Sequence, residues 1–478
     1  MTAFLRATRY AYPFLLPLFF VGHGLSQYLF FVPAGHAVWL LVQYLLAAAL
    51  AWILFRRLYR DGAKAALATF VTLACYLFFG AVRDALSQVW PGGLLLRYGV
   101  LLPLWGGLWA VGLYAIGRWS LLPRLHRFLN LLLLLLIGID AGSIGVQLAT
   151  KPEPRSFHNC SGCSRPDVYL VVLDGYAGLQ QLRDEFSFDN RPFYDSLRAA
   201  GFYVMDGSTS NYQDTPFSMA SLLNMEYLPL VHFRYTDSNL NYCYERVYDN
   251  LVTRRFRNAG YDVRNYSFFD LKGEPALCEN TLLVSGAALI SSQTLGQRLY
   301  RDLYNNVVRT RFRGSSAYRK LIFEDQVNNT LFARETLAAA ARNPGRPQFV
   351  YTHFAMPHAP YFFDAQGRLN KDSDLAAGNL GRKDLYLGYL QYSSRYTLDF
   401  IRRLRAASAR PSVILLLSDH GFRYGGSRAS YYSSLAAVSL PGGNYSRYHD
   451  SLTSVNQFRV LFNTLFRDTF SLVPQKRF

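Results

Sequence analysis

Residues 130–139 read NLLLLLLIGI, and nothing in that run lets a helix turn one polar face to water. It belongs to the last of five apolar stretches, at residues 10–32, 37–55, 65–82, 98–117 and 128–150. Each is about 18–24 residues long, the length a helix needs to cross the roughly 30 Å hydrocarbon layer of a bilayer. A buried helix of a water-soluble protein is a poor reading of such runs. The first stretch has no small-residue cleavage site and four more follow it, so it reads as a span and not as a signal peptide. The sequence therefore predicts a membrane domain of about five transmembrane helices over residues 1–150.

Charge orients these spans. Of the formal net charge of +18, half lies in residues 1–151, which hold 12 basic and 3 acidic residues. Arg6 and Arg9 precede the first span. Arg56, Arg57, Arg60 and Lys64 follow the second, and Arg118, Arg124 and Arg127 follow the fourth. The loop VPAGH has no basic residue, and the remaining one holds Arg83 and Arg97. Basic loops face the cytoplasm, so the N-terminus is expected inside and the part after the fifth span outside. That predicts a multi-pass protein of the inner (cytoplasmic) membrane with a periplasmic or equivalent extracytoplasmic domain. Positive-inside loops and attraction to anionic headgroups account for the basic balance. With no zinc-finger spacing and no phosphate-cradling GxxxxGK loop, nucleic acid is not expected as a partner.

Cysteine usage fits an oxidising compartment. Cys75 lies in the third span and reads as a small packing residue. Cys160, Cys163, Cys243 and Cys278 all fall in the exported part, where two disulfides are the default. Four cysteines allow three pairings; Cys160–Cys163 with Cys243–Cys278 is preferred, and a zinc or redox role for the C-S-G-C segment is the alternative.

A polar linker at residues 151–166 leads into a domain at residues 167–478. Short apolar runs rich in β-branched residues stand at 167–174, 202–205, 262–268, 348–354 and 413–417, with a weaker one at 436–440. Helical periods at 191–200, 218–225, 245–259, 326–342, 385–406 and 454–466 separate them. Alternation of this kind predicts an α/β domain with a mostly parallel central sheet covered on both faces. In such sheets chemistry collects at the carboxyl ends of the strands. One strand ends in Asp174-Gly175 and another in Ser418-Asp419-His420-Gly421. Two carboxylates and an imidazole suit a divalent ion, zinc or manganese first, with magnesium or calcium as alternatives. Taken singly, the aspartates also read as helix caps and the histidine as a hydrogen-bonded surface residue.

Four segments, VVLDGYAG, NYQDTPFSMASLLNM, THFAMPHAPY and LLLSDHGFR, together resemble the alkaline phosphatase/sulfatase superfamily. The architecture is similar to its membrane-anchored sulfatase-like branch, including lipoteichoic acid synthase and the lipid A phosphoethanolamine transferases. The resemblance implies one metal held by Asp174, Thr215, Asp419 and His420. Aligning SLLNM with the helix that follows the sulfatase nucleophile puts Thr215 at the nucleophile position, with Ser218 as competitor. It implies that His358 meets the substrate's phosphate or sulfate group, as general acid or oxyanion donor, and that His353 assists. Arg423 is a further candidate for phosphate contact. Two departures stand out. Sulfatases convert Cys or Ser at the nucleophile position to formylglycine, which threonine cannot become, and Phe217-Ser218-Met219 replaces their Pro-Ser-Arg context.

The implied reaction is transfer of a phospho-alcohol, of the phosphoethanolamine or phosphoglycerol type, from a membrane phospholipid to an envelope glycan or lipid through a phospho-threonine. The alternatives are a phosphodiesterase, phosphatase or sulfatase-like hydrolase of the same fold, and a non-catalytic lipid-sensing membrane regulator.

Overall fold

The computed structural model describes residues 8–90, 92–118, 123–150, 157, 160, 162–230, 233, 237–277, 288–342, 345–375 and 379–478. They divide into two compact units, Met1–Pro154 with Val284–Thr310, and Arg155–Leu283 with Arg311–Phe478. The return of residues 284–310 to the first unit has no counterpart in the sequence pattern.

In the first unit α1 is Tyr12–Gln27, α2 Ala34–Tyr59, α3 Gly62–Leu77, α4 Phe79–Val89, α5 Tyr98–Arg118 and α6 Pro123–Ala149. Among the described residues three helices are long and apolar enough to cross a membrane, Ala34–Tyr59, Tyr98–Arg118 and Arg124–Ala149. They become four if α3 and α4, bent by 55° at Phe78, count as one broken span. α1 has only 16 residues, so the first expected stretch is helical over a shorter range than its apolar run. The outward faces are apolar: Leu46, Leu50, Leu54 and Leu58 of α2 and Leu131 and Leu135 of α6 are exposed. That is stable only where the solvent is itself apolar. Polar contacts join the helices instead. Trp109 donates to Thr72 at 3.0 Å, and His23 Nδ1 lies 3.0 Å from Asp140 Oδ1.

In the second unit the six strands expected from sequence all form. They are β1 Asp167–Leu173, β2 Tyr203–Val204, β3 Asp262–Tyr266, β4 Gln348–Phe354, β5 Ser412–Ser418 and β6 Ala436–Ser439. The sheet order is β2-β6-β5-β1-β4-β3. The four strands from β5 to β3 run parallel, and β6 and β2 join antiparallel. β1 and β4 are buried at every position, which explains their unbroken apolar runs. The helices that matter below are α7 Thr215–Asn224, α8 Glu324–Ala341, α9 Lys383–Ala407 and α10 Gln457–Leu465. One expected helix, 245–259, is two: Asp237–Tyr248 and Leu251–Asn258. Asn250 separates them, because its side chain accepts from Thr253 N and caps the second. Beneath the sheet Arg255 is buried in a two-pronged ion pair with Asp468, at 2.7 and 3.0 Å.

Candidate metal centre

β1 lies between β5 and β4, and the register aligns their carboxyl ends. Leu173 pairs with Ser418, and Val172 with His353. The next residues along β1 and β5 are Asp174, Asp419 and His420, so three side chains separated by up to 246 positions meet at one sheet edge. Among the described residues they form a buried group whose ligand atoms lie within 4.8 Å of one another. His420 Nε2 is 3.5 Å from Asp174 Oδ1 and 3.4 Å from Asp419 Oδ2.

Hydrogen bonding fixes what these atoms can do. Asp419 Oδ1 accepts from Gly175 N and His420 N, both at 2.9 Å. Asp419 Oδ2 and Asp174 Oδ1 are buried and meet no hydrogen-bond donor of good geometry. His420 Nδ1 lies 2.7 Å from the Gly421 carbonyl oxygen. A carbonyl only accepts, so Nδ1 carries the hydrogen and Nε2 of the neutral ring presents a lone pair. Burial lowers the His420 pKa to about 4 against the opposing charge of Asp419, which keeps the ring neutral. Burial and the neighbouring Asp419 charge push the Asp174 carboxyl well above the usual range. For Asp419 burial acts upward, but His420, His353 and the donated hydrogen bonds outweigh it and its pKa falls. Three acceptors therefore converge, and a single hydroxyl, that of Thr215, reaches them with one hydrogen to share. A divalent cation satisfies all three, so the donor set fits a zinc-type ion.

Thr215 comes to this edge from a different element. It opens α7, with Asp214 before it in extended conformation and Pro216 within the first turn. Proline suits that turn because its missing N–H costs no hydrogen bond there. The Thr215 Oγ1 is 3.5 Å from His420 Nε2. Ser218 faces away, donating to the Tyr212 carbonyl at 3.2 Å.

The remaining expected residues surround the cluster. His353 is fully buried, with Nδ1 2.7 Å from the Tyr351 hydroxyl and its Nε2 without a hydrogen-bond partner among the described residues. Burial lowers its pKa to about 4, with the Asp419 charge acting the other way. His358 Nδ1 lies 2.8 Å from the Ala359 carbonyl oxygen, so its Nε2 is also the bare nitrogen. Burial and then the Arg423 charge lower the His358 pKa. Arg423 forms an ion pair with Asp214, the residue before Thr215, and its charge also acts on Asp174 and His420.

Sequence reasoning missed Asp214 and Tyr351. Asp214 stands at the N-cap position of α7 but makes no side-chain cap there; its carboxylate pairs with an arginine 209 positions away. Tyr351 had a usable signal, since it lies two residues before His353 on a strand and shares its face. Cys160 and Cys163 form a disulfide. Cys243 is buried, and Cys278, its expected partner, lies outside the described residues.

Among solved structures the chain is similar to the zinc complex of the periplasmic domain of EptC from Escherichia coli. Identity is 12%, covering 65% of this chain and 87% of that one, with a TM-score of 0.40. It is also similar to the integral membrane lipooligosaccharide phosphoethanolamine transferase A of Neisseria meningitidis, at 13% identity over 95% of each chain and a TM-score of 0.35. The phosphonate monoester hydrolase of Agrobacterium radiobacter is 16% identical over 63% of this chain and 74% of its own, with a TM-score of 0.39. No curated protein sequence matches the chain. The sulfatase family model matches residues 197–460, more than half of the sequence and the stretch that supplies Thr215, Asp419 and His420. The chain belongs to the sulfatase family of enzymes.

Proposed function

We propose that the protein transfers a phospho-alcohol group, of the phosphoethanolamine or phosphoglycerol type, from a membrane phospholipid to an envelope glycan or lipid. The observation that carries this reading is a threonine hydroxyl at a helix N-terminus, 3.5 Å from the imidazole of a buried Asp/Asp/His cluster. Asp174, Asp419, His420 and Thr215 would hold one divalent ion, zinc or manganese before magnesium or calcium. Such an ion supplies Lewis-acid polarisation of a phosphoryl oxygen and eases ionisation of the threonine hydroxyl.

The chain's own groups do the rest. The N-terminal peptide groups of α7 point positive charge at the phosphate. Arg423, held by Asp214, adds a full positive charge on the same side. Thr215 Oγ1 forms a bond to phosphorus, the bond to the diacylglycerol oxygen breaks, and the threonine proton ends on that leaving oxygen. In the second half the acceptor hydroxyl bonds to phosphorus, the bond to Thr215 Oγ1 breaks, and the acceptor's proton returns to Thr215. His358 suits the relay in both halves. Its bare Nε2 accepts a proton first and donates it afterwards, so it acts as a base before it acts as an acid. Threonine at the nucleophile position argues against formylglycine-dependent sulfate-ester hydrolysis.

The first unit supports a lipid donor. In this reading residues 1–150 make five crossings with the N-terminus cytoplasmic, 151–166 are a linker, and 167–478 work on the extracytoplasmic side of the inner membrane. The loop charges and the Cys160–Cys163 disulfide favour that side.

The test is direct. Full-length protein in nanodiscs containing phosphatidylethanolamine should carry about one equivalent of zinc or manganese. Peptide mass spectrometry should find a phosphoethanolamine adduct on Thr215, absent in Thr215→Ala and in Asp419→Ala. Wild-type protein that binds no divalent metal and forms no adduct with any phospholipid would overturn the reading.

A further inference from the structure

The first unit contains an element that the proposed chemistry does not use. After β3 the chain returns to it as two helical turns, Ala288–Ser291 and Leu295–Arg298, followed by a wider π-type stretch at Leu299–Tyr304. Several independent contacts build this segment into the apolar helices. Ile290 packs on Gly24 of α1. Gly80 N donates to the Gln293 carbonyl oxygen at 2.7 Å. A side chain at Gly80 would strike Gln293 Oε1 at 2.5 Å and Arg298 Nε at 2.7 Å, so the close approach requires glycine. Arg298, 4% exposed, forms an ion pair with Asp84 of α4. Asp302 accepts from the Tyr98 hydroxyl at 2.5 Å and from Arg301 Nε at 3.0 Å, and Arg83 lies 3.5 Å from it, so the Arg301 guanidinium is anchored at Nε.

These anchors share one level of the unit. Gly24 lies near the end of α1, Asp84 within α4, and Tyr98 is the first residue of α5. All flank the loops on the side opposite the clusters of Arg56, Arg57, Arg60 and Lys64 and of Arg118, Arg124 and Arg127. The outward side of the segment is unlike an ordinary protein surface. Tyr300, Leu303 and Tyr304 are 54%, 37% and 47% exposed, and the two tyrosine rings stack at 5.5 Å. Between residues 288 and 310 the basic residues are Arg298, Arg301 and Arg309, against the single acid Asp302. Exposed tyrosines interleaved with arginines, fixed at the end of a helix bundle, match the composition of a bilayer's headgroup zone.

We propose that residues 288–310 form an interfacial element, with Tyr300, Leu303 and Tyr304 seated among the headgroups of the extracytoplasmic leaflet and Arg301 and Arg309 favouring anionic phospholipid. This rests on the membrane reading of the first unit, and the test separates the two. The full chain carries a photocrosslinking p-benzoylphenylalanine at Tyr300, Tyr304, Leu50 or Val327, one position at a time. Each variant is placed in phosphatidylcholine vesicles with or without phosphatidylglycerol and irradiated, and lipid-mass adducts are counted by mass spectrometry.

Leu50 lies on the apolar face of α2 and reports the membrane, while exposed Val327 on α8 is the background. Adducts at Tyr300 and Tyr304 well above Val327 support the proposal. Phosphatidylglycerol should enrich them about fivefold for each arginine engaged, and Arg309→Gln should remove one such factor. Adducts at Leu50 with background levels at Tyr300 and Tyr304 overturn it and leave the membrane reading standing. Background levels at Leu50 as well overturn both.

Discussion

Replacing Asp419 by asparagine should invert the protein's stability order between chelator and metal. The substitution keeps Oδ1, so the hydrogen bonds from Gly175 N and His420 N survive in neutral form. A hydrogen bond to a charged acceptor is worth about 1.5–3 kcal/mol and a neutral one about 0.5–1.5, so the loss is roughly 2 kcal/mol in total. Against this, the new amide directs two N–H groups toward Asp174 Oδ1, which has no hydrogen-bond partner, and His420 Nε2, which otherwise meets the Thr215 hydroxyl at a long 3.5 Å, and gains about 1 kcal/mol from each. It also relieves the like-charge repulsion that Asp419 exerts on buried Asp174, on the order of a few kcal/mol. The net expectation in chelator is stabilisation by about 1–3 kcal/mol, or roughly 2–8 °C in the transition of the second unit. With zinc at about a thousand times its Kd the wild type gains about 4 kcal/mol and the variant almost nothing. Scanning calorimetry of the detergent-solubilised chain at pH 8, where a proton on Asp174 substitutes less well for an ion, reads both transitions. Every tryptophan lies in residues 39–119, so calorimetry and not tryptophan fluorescence follows the second unit. The reasoning is refuted if Asp419→Asn melts below wild type in chelator, or if zinc raises both by the same amount.

Three other perturbations test the surrounding construction. Gly421→Ala should largely abolish the Thr215 adduct. Its Cβ would lie 2.4 Å from Gln181 Oε1 and 2.5 Å from the Ser433 carbonyl, forcing movement of the loop that holds His420; zinc titration calorimetry should show weakened binding. Asp468→Ala should cost about 3–5 kcal/mol, because Arg255 is left charged and buried; adding Arg255→Met should recover much of this, and denaturant unfolding reads both. Arg423→Lys should slow adduct formation about 10–100-fold, roughly 1.4–2.8 kcal/mol, since an ammonium cannot present the planar pair of donors; rapid-quench mass spectrometry measures it.

What could be read from the sequence, and what could not, follows from the range of the forces involved. A strand buried on both faces records its environment in every residue, so β1 and β5 stand out as DVYLVVL and SVILLLS. Each ends in polar residues at a fixed place, and parallel pairing of those ends is enough to bring Asp174 to Asp419 and His420. The division at Asn250 was invisible because the helical period continues across it; a local side-chain cap overrides the pattern. The Asp214–Arg423 pair was invisible for a different reason, since an ion pair leaves no periodic trace in either partner's neighbourhood. The return of residues 284–310 to the first unit is the hardest case. Its stretch reads LGQRLYRDLY, neither apolar enough for a span nor patterned for a sheet-covering helix. That intermediate character follows if its surroundings are neither water nor hydrocarbon. A segment with exposed aromatic rings on one side, Arg298 and Asp302 committed to the helix ends on the other, and Arg301 bridging to Asp302 between them, is amphipathic across a shallow boundary. A hydropathy window of about 19 residues averages such a boundary away.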